Sequence, residues 1–336
     1  MKEHIISKSR VKDFLKELGK SNKIFIPGEN NGVSRFYVFD PKSEIQWDIR
    51  NTLIPPKEIF FPQDESLFEY KNQQVTTSDL EVADTIIFGI RPCDTHGFTM
   101  LDKVFGEGDF QDPYYLKKRE ATTVITLACN RPGINCFCTC INGGPDNEHG
   151  SDIILFDLGA KILVRSVTGK GEELLKKGKS LSAVEEADRK KRDSLMKSAR
   201  EKVKAQIKIE NLKEKLDQSF DVEFWDTFHK KCLGCGICTF LCPTCHCFDI
   251  TEEGDKEKGK RIRCWDSCQF PLFTLHASGH NPRPDYKERM RQRVMHKFNY
   301  CPENFNETFC VGCGRCIIHC PVNLDIREVI ETIVGG

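Results

Sequence analysis

The stretch Cys232-Leu-Gly-Cys235-Gly-Ile-Cys238-Thr-Phe-Leu-Cys242-Pro243 decides how the rest of the chain is read. It returns near the C-terminus as Cys310-Val-Gly-Cys313-Gly-Arg-Cys316-Ile-Ile-His-Cys320-Pro321. Each is a C-x2-C-x2-C-x3-C-P run, the spacing that holds a [4Fe-4S] cubane. Close spacing lets three thiolates reach one cluster. The glycines between them let the backbone wrap the cluster and turn N–H groups toward sulfur. Where two such runs occur together, the fourth Cys of each ligates the other run's cluster. That rule assigns Cys232, Cys235, Cys238 and Cys320 to one centre, and Cys310, Cys313, Cys316 and Cys242 to the other. Zinc also uses paired C-x2-C motifs, but it needs no trailing Cys-Pro, and the full pattern is present here in both runs.

Around this pair lie 336 residues, which at about 150 residues per domain suggests two or three domains. Lys+Arg and Asp+Glu both number 50, so net charge gives no case for nucleic acid or an anionic membrane. No apolar run reaches the length of a membrane span. The opening MKEHIISKSRVKDFLKELGK lacks the apolar core of a signal peptide. Eighteen cysteines in a large, unsignalled chain with this spacing fit a reducing cytoplasm better than a disulfide scaffold.

Residues 1–170 read as one α/β domain. Val11, Phe14, Leu15 and Leu18 recur at helical spacing. Lys23–Pro27 and Ser34–Asp40 read as strands about the turn Gly28–Gly32, and Thr85–Ile90, Thr122–Leu127, Asp152–Asp157 and Lys161–Val167 as further strands. Residues 41–80 show no clear period. Arg91–Gly97 reads as a loop and Phe98–Phe105 as a helix. No GxGxxG or P-loop is present, so no nucleotide fingerprint is seen. The domain holds Cys93, Cys129, Cys136, Cys138 and Cys140. Cys93 and Cys129 follow strands, where α/β sheets gather their sites. These loop thiols suggest a further cluster, against the alternative of thiols packed as small hydrophobes. Their spacing matches no standard motif and leaves the fourth ligand open.

Residues 171–231 are charged and poor in Gly and Pro, and read as a helical connection. Leu195, Ala199 and Val203 fall four apart, as do Leu212, Leu216 and Phe220. Residues 232–336 form a mostly helical two-cluster domain with a long insertion, 243–309. Within it Cys245, Cys247, Cys264 and Cys268 read either as a fourth metal site or as thiols packed around the two clusters; Cys301 stays unassigned. The basic stretch 287–298 reads as a helix with a solvated face. Ile326, Val329, Ile330 and Ile333 line one face of a last helix. The expected fold is thus α+β and multidomain.

The segments GIRPCDTHGF, DPYYLKKRE, CFCTCINGGP, CPTCHCFDI, RCWDSCQFP, HNPRP and CVGCGRC, in that order, resemble a family of dicluster iron–sulfur subunits. It includes the beta subunit of cytoplasmic [NiFe] hydrogenases (sulfhydrogenases), an iron–sulfur subunit of anaerobic sulfite reductase, and a similar one serving heterodisulfide reductase complexes. The resemblance implies Cys93, Cys129, Cys136 and Cys138 as ligands of a third [4Fe-4S] cluster, with Cys140 left out. It implies electron transfer between a flavoprotein, linked to NAD(P)H or ferredoxin, and a catalytic redox subunit, with no flavin on this chain and no substrate chemistry of its own. The alternatives are a catalytic disulfide-reductase subunit using the insertion cysteines, or a zinc-bound interaction module.

Overall fold

The computed structural model describes the whole chain except residues 1, 73, 78–81, 179, 222 and 336. Among the described residues the chain is mixed α/β with two sheets. It forms two compact units, each assembled from separate stretches of sequence. The first takes Met1–Pro56, Val82–Ala205 and Val311–Cys313; the second takes Lys57–Glu81, Gln206–Cys310 and Gly314–Gly336.

The strands in chain order are β1 (Glu3–Ser7), β2 (Lys23–Asn30), β3 (Val33–Val38), β4 (Asp64–Lys71), β5 (Gln74–Thr77), β6 (Thr85–Ile90), β7 (Thr122–Leu127), β8 (Ile153–Asp157), β9 (Lys161–Ser166), β10 (Phe248–Gly254) and β11 (Lys258–Trp265). The first unit is built on a seven-stranded sheet of order β1-β9-β8-β7-β6-β2-β3. Its centre, β8-β7-β6-β2, is parallel, and both flanks turn antiparallel. Every residue of β6 and β7 is buried, as befits central parallel strands covered on both faces. That burial is why they read as continuous apolar runs. Alternate residues divide the faces. Ile86, Phe88, Ile125 and Leu127 pack with Phe14, Leu15 and Leu18 of α1 (Val11–Leu18). Ile154, Phe156 and Leu163 point the other way.

Three local differences from the sequence reading have plain causes. β1 escapes that reading, because EHIIS is too short to show a period; its pairing with β9 supplies the order. The turn of the β2–β3 hairpin narrows to Asn31-Gly32, both at positive φ, so β2 runs on through Asn30. The segment Arg91–Gly97 is not a loop. Arg91 is extended and Pro92 occupies the first helical turn, so α2 (Pro92–Gly106) starts directly off β6. Proline suits that position because its missing N–H would have no helical partner there. α3 (Pro113–Glu120) follows, its first N–H groups capped by the Asp112 carboxylate. α4 (Gly169–Lys176) and α5 (Glu186–Lys202) complete the first unit; Met196 of α5 packs on the Ile154 face.

The second unit holds a four-stranded antiparallel sheet of order β10-β11-β4-β5. Phe61 stacks on Trp265 at 5.8 Å between centroids, and Arg263 pairs with Glu65, both buried. Its helices are α6 (Leu212–Gln218), α7 (Phe224–Phe228), α8 (Ile237–Phe240), α9 (Tyr286–Met295), α10 (Cys301–Phe305), α11 (Arg315–Ile318) and α12 (Ile326–Gly335). Leu212 and Leu216 are buried while Phe220 is exposed. Trp225 is fully buried and its indole N–H donates to Ser219 O at 2.7 Å. Ile326, Val329, Ile330 and Ile333 of α12 are buried, matching the expected face.

Candidate metal centres

In the first unit, strand ends carry the thiols. Cys93 lies in the first turn of α2, one residue past Pro92; Cys129 lies two residues past β7. Cys136 precedes, and Cys138 opens, a single 3-10 turn, Cys138–Cys140. Cys93, Cys129, Cys136 and Cys138 line one small cavity, which Gly312 and Cys313 also border. Cys140 turns elsewhere: its thiol donates to Ala205 O at 3.1 Å. Arg91 braces the cavity. Its guanidinium donates to the carbonyls of Trp47, Ile49 and Ala128, among others, at 2.6 to 3.2 Å. Burial pushes the Cys138 thiol up to about 12, and Cys136 and Cys129 add to the shift. Thiolates crowded in this way need a positive partner. A bound metal centre supplies one and releases the protons.

The two Cys runs repeat one backbone design. In each, the glycine after the first Cys and the glycine after the second sit at positive φ: +63° and +75° at Gly234 and Gly236, +62° and +76° at Gly312 and Gly314. Each run then enters a short helix, α8 or α11, that carries the third Cys, and the fourth follows its end. Cys232, Cys235, Cys238 and Cys320 line one cavity with apolar walls that include Ile237, Met290 and Val329. Three of these thiols come from the first run and one, the last, from the second. Gly234 N–H donates to Cys232 Sγ at 3.4 Å and Leu324 N–H to Cys320 Sγ at 3.2 Å. Cys316 borders the same cavity. Burial raises the Cys238 thiol to about 12.

For the other set, burial disfavours the Lys297 ammonium, but nearby thiols including Cys242 and Cys310 outweigh it and hold its pKa above the ordinary lysine value; Cys316 and Cys242 are among the thiols that do the same for Arg293. Cys313 belongs to the first unit, where its carbonyl accepts from the Asn51 amide at 2.9 Å. Cys242 is held well below the ordinary thiol range, first by a hydrogen bond from Cys245 and then by Lys297 and Arg293.

Among the insertion cysteines, Cys247 and Cys268 hydrogen-bond to each other. Cys264 stands apart on β11 opposite Asp249, its thiol 3.8 Å from Asp249 O. The structure therefore does not gather Cys245, Cys247, Cys264 and Cys268 into one site. The basic stretch 287–298 departs from its expected solvated face: Arg289, Arg293 and Lys297 are buried. Sequence reading misses these cations because a charged stripe looks the same whether it meets water or thiolate. Their recurrence every four residues is the available signal.

Among the described residues, no three His, Cys, Asp or Glu side chains converge on a point that would hold a single metal ion. Thiols instead line two cavities, Cys232, Cys235, Cys238, Cys316 and Cys320 in one and Cys93, Cys129, Cys136, Cys138 and Cys313 in the other.

A family model described as a 4Fe-4S dicluster domain matches residues 231–324. Sulfhydrogenase 2 subunit beta of Pyrococcus furiosus is 32% identical over 327 residues, 96% of each chain. No solved structure matches the chain. With both Cys runs inside the matched domain and the relative aligned along almost the full length, the chain belongs to the family of sulfhydrogenase 2 subunit beta and is a dicluster iron–sulfur subunit.

Proposed function

We propose that this chain is the electron-transfer subunit of a hydrogenase-type complex. It relays single electrons between a flavoprotein, linked to NAD(P)H or ferredoxin, and a catalytic redox subunit. Two [4Fe-4S] centres use the crossed ligand sets, Cys232, Cys235, Cys238 and Cys320 and then Cys310, Cys313, Cys316 and Cys242. A third uses Cys93, Cys129, Cys136 and Cys138. In this reading residues 1–170 carry the third centre, 171–231 connect, and 232–336 carry the pair. The observation that carries the reading is the apolar cavity lined by Cys232, Cys235, Cys238 and Cys320, with Cys316 at the same cavity.

Bound clusters supply one-electron valence change, with potentials set by burial, charge and hydrogen bonds to sulfur. The chain's own residues supply those settings. Met290, Val329 and Ile237 keep water from one cavity. The Gly234 and Leu324 N–H groups steady the sulfurs of Cys232 and Cys320. Hydride must be split into single electrons before such a centre accepts it, which is flavin chemistry, and the sequence carries no dinucleotide fingerprint.

The test has two arms. Anaerobically purified chain should hold about twelve irons. A count of about eight removes the third centre, and a colourless, zinc-loaded chain refutes the reading outright. Loaded chain alone, given NADH or NADPH and a viologen, should reduce no dye; adding the flavoprotein should permit cluster reduction. Stoichiometric flavin on the isolated chain would make it the diaphorase itself.

A further inference from the structure

Arg289, Arg293 and Lys297 fall four apart and all three are buried, with 4%, 8% and 2% exposure. A buried ammonium costs several kcal/mol unless it is paired and hydrogen-bonded. Lys297 is answered in full. Its Nζ donates to Cys242 Sγ at 3.2 Å, Thr244 Oγ1 at 2.9 Å and Phe309 O at 2.9 Å, three acceptors for three protons. The acceptors come from two distant stretches of chain. Cys242 closes the first Cys run, while Phe309 immediately precedes Cys310, the first thiol of the second. The Lys297 backbone joins the same contact, since its carbonyl accepts the Phe309 N–H at 3.0 Å. Lys297 lies in a single π-helical stretch, His296–Tyr300, that continues α9. Such turns are rare and concentrate at functional sites. One turn earlier, Arg293 donates to Cys245 Sγ at 3.7 Å and borders the cavity of Cys232, Cys235, Cys238 and Cys320. Neutral side chains would suffice to fill this space. A fixed charge aimed at a ligand sulfur has an electrostatic consequence that packing alone lacks.

We infer that Lys297 is a positioning residue that raises the reduction potential of the centre using Cys242 and Cys310. The inference rests on the ligand assignment proposed above. Adding an electron makes a buried cluster more negative. A buried ammonium one hydrogen bond from its ligand sulfur favours that reduced state, by net charge and by hydrogen bonding to sulfur. The ammonium is a compact point charge with three donors, so replacing it by a neutral group removes the charge at one known sulfur.

The experiment uses the full chain with clusters assembled, as wild type, Lys297→Gln, Lys297→Met and Lys297→Arg. Anaerobic redox titration followed by electron paramagnetic resonance is read beside iron analysis. The iron count of the wild type tests the cluster reading by itself, so its failure is separable from failure of this inference. Lys297→Gln with wild-type iron should lower the reduced-to-oxidised ratio of one centre at least about tenfold at the wild-type midpoint, about 59 mV for a one-electron couple. The other centres should hold their midpoints, and Lys297→Arg should restore the ratio to within about threefold of wild type. Unchanged midpoints at full iron overturn the inference, as does an equal shift at every centre. Where Lys297→Gln assembles poorly, Lys297→Met carries the same expectation. Loss of about four irons from both neutral variants also overturns it, because Lys297 is then a structural clamp.

Discussion

Gly312→Ala tests the closest backbone approach at the proposed third centre. Gly312 sits at φ +62°. A Cβ there would lie 2.5 Å from Cys138 N, 2.6 Å from Phe137 C and 2.7 Å from Cys138 Cα. These are backbone atoms and cannot rotate away, and the Phe137 N–H holds the two segments together by donating to Gly312 O at 2.9 Å. The left-handed conformation costs a non-glycine residue about 1–2 kcal/mol, and forcing an added methyl into packed surroundings costs about 1–3 kcal/mol more. The sum, about 2–5 kcal/mol, is a large share of the roughly 5–15 kcal/mol that holds a domain folded. Gly32→Ala is the matched control. Gly32 has φ +77° with nothing within 4 Å of its added Cβ, so it should show only the conformational cost. Anaerobic urea unfolding and iron analysis of both variants decide the matter. Gly312→Ala should unfold at clearly lower urea than Gly32→Ala and lose about four irons, because the displaced backbone belongs to Cys138. If the two variants match in midpoint and iron, the close approach carries no energetic weight and the reasoning fails.

Three further outcomes are expected. Cys138→Ser should lose about four irons while Cys140→Ser keeps them all, since the Cys140 thiol turns to Ala205 O; the reverse pattern would exchange the two ligands. Trp225→Ala should cost about 3–5 kcal/mol in denaturant unfolding, because Trp225 is fully buried and its N–H is satisfied by Ser219 O; a loss under about 1 kcal/mol would refute that packing. Burial pushes the Glu3 carboxyl up, but hydrogen bonds and charges from Arg189 and Arg192 outweigh it and leave the group below the ordinary carboxylate range. A lowered folded pKa contributes stability above the unfolded value and loses it as pH falls through the folded one. The stability gap between wild type and Glu3→Gln should therefore close on acidification; a gap that widens would reverse the sign.

How much is legible follows from what each signal depends on. The eight thiols of the paired runs declare themselves by spacing, because three of the four thiols assigned to each proposed centre lie a few residues apart. β6 and β7 declare themselves because burial on both faces leaves an unbroken apolar run. The β4–β5 hairpin lies in the stretch 41–80 that shows no period. Its pairing partner, β11, lies nearly two hundred residues on, and no local pattern encodes that register. Cys93 reads onto a loop because the expected helix begins only past Gly97, whereas Pro92 opens the helix at once. The stripe Arg289, Arg293 and Lys297 is visible as charge, but only the fold reveals that thiols answer Arg293 and Lys297.

The interleaving of the two units bears on how the protein is made. The first unit borrows Val311–Cys313 from nearly the end of the chain, while the second borrows Lys57–Glu81 from near its beginning. A ribosome therefore releases residues 82–205 long before their last partners exist. Until then the Phe137 N–H and the Asn51 amide lack the Gly312 and Cys313 carbonyls that will receive them. Contacts so distant in sequence close late and slowly. If the third centre is bound as proposed, its pocket is complete only after residues 311–313 have left the ribosome. For the same reason a fragment ending at the helical connection is not a miniature of the whole.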